Sequence, residues 1–351
     1  MAKKRKTLPK DFAELIYKGD IDALKAVYDV CDLNAYGSYS KCSALSFYKV
    51  PEELVRWLVA QGADIEARDS HKRTAMHAHA SSWCGNIGLI IELGGDIEAR
   101  DYQGETPLHA AAGSCRVEAV RTLLAHGAEV DAKDNSGRTP LGKMLISGNN
   151  ANIEYMAEIA DLLLDAGAEI RPEMAKFVTR IGENFEFHRE NFNKDRLEAT
   201  DEALAHLYEI FNAAPAPRRI MHDGVSPIIV SPGGWKAQHK ELWDLLIPSQ
   251  GPAKTVQGEV IRITGKIAGE LYRNGGANWD SNFKKMLDAL PEHFASGMPL
   301  DEPEMREVAE LVGWLRDGKS DQGIDRLCEL AVEWVIKNPN PEILEKPNYK
   351  R

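Results

Sequence analysis

The sequence predicts an all-α fold: a solenoid of helix-pair repeats over residues 11–172, then an all-helical module over residues 235–344. Three observations carry this. The string Asp-Ile-Glu-Ala-Arg-Asp occurs at residues 64–69 and again at 96–101, 32 residues apart, with a relative at 129–134. Recurrence at that spacing marks a repeat architecture. Apolar residues at helical spacing precede each copy. Beyond residue 234 the chain shows apolar stripes of helical period and no strand alternation.

Taken in order, residues 1–10 form a basic tail with five positive charges and no negative one. Residues 11–30 read as two short helices around Gly19-Asp20, a degenerate first unit of the capping kind. A second unit starts at Ser43-Ala44-Leu45-Ser46 and ends near Gly62-Ala63, clipped by two residues at Val50-Pro51. The third runs from Thr74-Ala75-Met76-His77 to Gly94-Gly95. The fourth opens with Thr106-Pro107-Leu108-His109-Ala110-Ala111 and closes at Gly127-Ala128. Thr106 suits an N-cap, Pro107 the first helical turn, and Gly127 a left-handed helix end. The fifth opens with Thr139-Pro140-Leu141, ends at Gly167-Ala168, and carries about seven extra residues around 147–153.

Residues 106–111 match the T-P-L-H-x-A pattern letter for letter, so the region resembles the ankyrin repeat family. The resemblance implies five repeats, each a short β-hairpin turn followed by two antiparallel helices. It implies a protein-binding scaffold that meets partners at its hairpin tips and concave face, without catalysis. Candidate partner-binding residues are therefore Ser70, His71, Lys72, Tyr102, Gln103, Asn135 and Ser136 at the tips, with Tyr102 an aromatic the fold does not require. Trp83 joins them, as an exposed anchor or as a cover for a one-residue deletion. The resemblance also implies that His77 and His109 tie neighbouring loops rather than hold a metal.

Residues 173–234 read as a helical connector and then a Pro/Gly-rich linker or strap. Helices are expected at 235–246, 255–273, 281–290, 302–317 and 321–337, with a tail at 345–351. Within 255–273, Gly258, Gly265 and Gly269 each cost about 1 kcal/mol against alanine, which points to close approach of another element. Glu259, Arg262, Asn274, Asn278, Trp279 and Asp280 form a candidate pocket. The competing reading pairs Glu259 with Arg262 and sets Trp279 in the core.

The net charge of −11 argues against general nucleic-acid binding. No apolar run approaches a membrane span, and no hydrophobic signal core follows the basic start. A cytoplasmic location is expected, or a nuclear one if the 3–6 basic cluster directs import. Five scattered cysteines without a C-x-x-C pair suggest reduced thiols, and no cofactor or metal motif occurs. The function expected is an intracellular interaction scaffold or adaptor. Its narrower form is an acidic inhibitor or immunity-type protein masking a basic partner, since residues 11–170 hold 25 acidic against 14 basic residues. The alternative is an ankyrin-targeted enzyme or small-ligand sensor with its site in the C-terminal module.

Overall fold

The computed structural model describes residues 4–37, 39–318 and 320–350. They divide into two compact units: the chain through Phe185 with Phe192–Ala216, and Glu186–Asn191 with the chain from Pro217 onward.

The first unit is a run of helix pairs: α1 (Phe12–Lys18) and α2 (Ile21–Val30), then α3 (Glu52–Ala60), α4 (Ala75–Ala80), α5 (Ile87–Glu92), α6 (Pro107–Gly113), α7 (Val117–Ala125), α8 (Pro140–Ser147) and α9 (Ile153–Asp165). The partner of α3 is only a 3-10 turn, Ala44–Ser46. Pro51 disfavours helical backbone at Val50, so the clipped segment has no room for a full helix. Elsewhere the local chemistry is as the letters suggest. Thr106 and His109 form a capping box at the start of α6, with Pro107 in its first turn. The helix-pair ends at Gly62, Gly94, Gly127 and Gly167 all take φ between 83° and 97°, open to glycine without strain.

The recurring six-letter string is legible in its bonds. Glu66 and Glu98 accept from the amides of Asp96 and Glu129, at 2.8 and 2.7 Å. Arg68 donates to the carbonyl of Arg100, and Arg100 to that of Lys133, both at 2.7 Å. Asp69 accepts from the amides of His71 and Arg73 inside its own turn. Each copy therefore ties one turn to the next.

Residues 4–10 do not behave as the expected tail; Met1–Lys3 lie outside the described residues. Strand β1 (Arg5–Thr7) pairs in parallel with β2 (Cys31–Gly37), which pairs antiparallel with β3 (Cys42–Ser43). Leu8 and Phe12 insert into the core and anchor the segment, while the side chains of β1 stay exposed. Three residues without apolar alternation give a sequence no strand signal.

The connector is not a separate element. Helices α10 (Met174–His188) and α11 (Leu197–Ile210) contribute Val178, Ile181, Phe185, Leu204 and Leu207 to the first core. From Pro217 the Pro/Gly-rich stretch belongs instead to the second unit as a strap: the His222 amide donates to Leu245 and the Ile228 amide to Pro339.

The second unit packs α12 (Trp235–Leu246), α14 (Ser281–Phe294) and α16 (Ile324–Lys337) about the buried α13 (Val256–Asn274), with α15 (Glu302–Leu315) against α14 and α16. All three α13 glycines meet close neighbours, two of them beyond the helix: a Cβ on Gly265 would strike the Trp243 ring and one on Gly258 the Ala253 methyl, while one on Gly269 would meet only the flexible end of Arg273 on the same helix. The expected C-terminal tail packs too. Tyr349 is buried and its hydroxyl donates to Glu259 at 2.7 Å, following Glu342 and Leu344 at the end of the module, which bond the Lys254–Val256 backbone.

Candidate functional site

The tip residues are exposed, and their backbones form a ladder. Ser70 N–H donates to Ser40, Tyr102 N–H to His71, and Asn135 N–H to Gln103, all at 2.8–2.9 Å. Asn135 Nδ2 adds a bond to the Tyr102 carbonyl at 3.1 Å. Tyr102 leaves 70% of its surface exposed. Lys72 holds a left-handed φ of 61° at the tip position that the next two tips give to glycine.

His77 and His109 are built into the frame. Nδ1 of each accepts from the amide of Thr74 or Thr106, and Nε2–H donates at 3.0 Å to Glu105 or Arg138 of the following turn. Burial holds both imidazoles below the ordinary histidine value, as the neutral tautomer of these bonds requires. His79 is likewise engaged on both nitrogens, by Leu45 and Asn86.

Three adjoining cavities lie among the described residues of this unit. One, of about 340 Å³, is lined by His71, Arg73, Tyr102, Gln103, His109 and Lys143 among others. The second, about 450 Å³, shares Arg73 and Ser81 with it and adds Tyr48, Trp83 and Arg116. The third, about 460 Å³, shares Ser82, Trp83 and Arg116 with the second and extends to Tyr155 and Glu158. Shared walls make them one groove, which lies over α4 and α6 in the first two cavities, passes to α5, α7 and α9 in the third, and is studded with Tyr102, Tyr48, Trp83 and Tyr155. Of the expected partner-binding residues, His71, Tyr102, Gln103 and Trp83 line it; Ser70, Lys72, Asn135 and Ser136 do not.

At the groove's middle, the Arg116 guanidinium lies 3.8 Å over the Trp83 ring, and Tyr155 meets that ring edge-on at 5.5 Å. Arg116 Nε donates to the Ser81 carbonyl at 3.1 Å. Trp83 remains 63% exposed, so it covers its neighbours and stays reachable. Sequence reasoning missed Arg116 and Tyr155. Arg116 stands 33 residues after Trp83, the repeat period, and that spacing was the available signal.

Residues 42–134 and 80–173 match the family model described as ankyrin repeats (3 copies). This region consists of ankyrin repeats. The part of the chain beyond them has no family match, and no curated protein matches the chain. The groove starts over the inner helices α4 and α6 of these ankyrin units and ends against α5, α7 and α9, and no described helix is long and apolar enough to cross a membrane.

The candidate pocket of the second unit does not assemble. Glu259 and Asn274 sit on one helix about 22 Å apart, at 1.5 Å per residue. Glu259 and Arg262 form a buried ion pair, with Tyr349 Oη and the Ala253 amide also donating to Glu259. Asn274 and Asn278 donate to Glu270 at the other end of α13. Trp279 stacks on Phe283 at 4.8 Å and donates to the Arg316 carbonyl, while Asp280 caps α14. These are packing and capping roles, and the convergence expected of an enzyme or sensor site is absent.

Proposed function

We propose that the protein is an interaction scaffold whose ankyrin region, five helix pairs stacked as a solenoid, binds a protein segment along the Tyr102–Trp83–Tyr155 groove. The observation that carries this reading is the continuity of the groove with four aromatic side chains along it. Aromatic side chains supply large contact area at low entropic cost and dominate interface energetics. The interlocked turns hold that surface rigid, so little ordering free energy is lost on binding. The acidic balance of the chain favours a basic partner at long range. At the groove, however, Asp69, Asp101 and Asp134 accept bonds from their own turns, so the contact charge is set by other residues. Adaptor and inhibitor are two uses of one groove, and a partner whose activity falls on binding marks the second.

The test is quantitative affinity capture with the full-length protein and two variants. Trp83→Ala/Tyr102→Ala changes the groove, and Glu53→Ala/Asp165→Ala changes exposed outer-helix positions away from it. A partner retained by the wild type and the outer variant and lost by the groove variant supports the reading. Equal retention by all three contradicts it.

A further inference from the structure

We propose that Arg116 is the anchor point of the groove for a single carboxylate side chain, aspartate or glutamate, of the bound protein segment. This rests on the groove reading and adds the chemistry of its central contact. The other cations along the groove are already engaged. Arg73 pairs with Asp69 at 2.9 Å, Lys143 pairs with Glu105, and Arg121 beside it pairs with Glu158 at 2.9 Å. Arg116 has no carboxylate within 4 Å among the described residues.

Among the described residues its only hydrogen bond runs from Nε, which leaves both terminal nitrogens without a partner there on a side chain that lines two cavities. Those nitrogens present a planar fork that matches a carboxylate in a bidentate way. Stacking on Trp83 fixes the plane of the fork, so little side-chain freedom remains to be lost. Burial already pushes the guanidinium down from its ordinary value, the mark of a cation short of counter-charge.

The same geometry limits the ligand to one negative charge. Glu118 and Glu158 line the adjoining cavity and share Arg121 between them, leaving a local acidic excess. A phosphate dianion or a nucleic-acid backbone would be repelled there, while an isolated carboxylate with apolar neighbours would fit beside Ile87 and Val117.

The test selects a displayed library of short random peptides on the full-length protein and titrates the enriched peptides calorimetrically. The expected result is an acidic position in each. Its change to the amide weakens binding to the wild type by about 10- to 100-fold. The same change has little effect on Arg116→Gln, so the two losses are not additive. Melting curves check that the variants fold. If Arg116→Gln melts early, Arg116→Lys replaces it, keeping the cation without the fork and narrowing the acid-to-amide difference. Peptides that depend on Trp83 and ignore Arg116 overturn the anchor while leaving the groove reading in place. Peptides indifferent to Trp83→Ala and Tyr102→Ala, or no enrichment, overturn both. Displacement of the peptide by a phosphopeptide or single-stranded oligonucleotide at equal concentration overturns the single-charge assignment.

Discussion

Arg262 holds Glu259 through two parallel bonds, Nη2 to Oε1 at 2.6 Å and Nε to Oε2 at 2.8 Å, with both side chains almost wholly buried. The carboxylate also accepts from Ala253 and Tyr349, so the pair sits at the junction of α13, the loop between α12 and α13, and the C-terminal segment. Arg262→Ala leaves a buried carboxylate without its cation and is expected to destabilise the second unit by about 3–5 kcal/mol. Urea unfolding followed by tryptophan fluorescence measures this, since Trp235, Trp243, Trp279, Trp314 and Trp334 all report from that unit.

The same pair gives a pH dependence. Burial pushes the Glu259 carboxyl up, but the Arg262 bonds and charge outweigh it and hold the group below the ordinary 4.5. A folded value below the unfolded one stabilises fully above about pH 4.5, and the contribution is lost as pH falls through the folded value. The wild-type midpoint should therefore drop in that acidic window, and Glu259→Gln should show a smaller drop from a lower starting stability.

The buried histidines of the ankyrin region titrate in a different window. Burial lowers His77, His79 and His109 from 6.5, so their contribution is complete above that pH and is lost as pH falls below it. His109→Ala removes the tie to the Arg138 carbonyl and is expected to cost about 1–3 kcal/mol. Thermal melts at about pH 7.5 and 5.5 should show a smaller difference in the variant than in the wild type.

Two glycines of the second unit should respond oppositely to alanine. Gly265 faces the Trp243 ring, so Gly265→Ala is expected to cost about 1–3 kcal/mol from overpacking. Gly313, within α15, has nothing within 4 Å of a built Cβ, so Gly313→Ala should stabilise by up to about 1 kcal/mol. Paired urea midpoints decide it, and stabilisation by both would contradict the packing described for α13.

What the letters reveal depends on how local the chemistry is. The Asp-Ile-Glu-Ala-Arg-Asp string is readable because each polar letter bonds its own turn or the next. Thr106, Pro107 and His109 are readable for the same reason. Strand β1 is not, because its pairing with β2 lies 26 residues away, Arg5 against Cys31. Glu259 and Arg262 look like a site in one dimension; helical spacing sets them side by side, and only the tertiary packing shows that they face a core. At the groove, exposure of Trp83 follows from its repeat position. Its contact with Tyr155 depends on the extra turn at Asn150–Asn152, where the period breaks.

The most direct measurement of the central claim is amide hydrogen exchange of the full chain, free and bound to a partner or peptide obtained by capture or selection. Added protection at residues 71–84, 102–116 and 153–158, with α1–α3 and the second unit unchanged, is the predicted footprint. Protection confined to α12–α16, or to α1–α3, would contradict it.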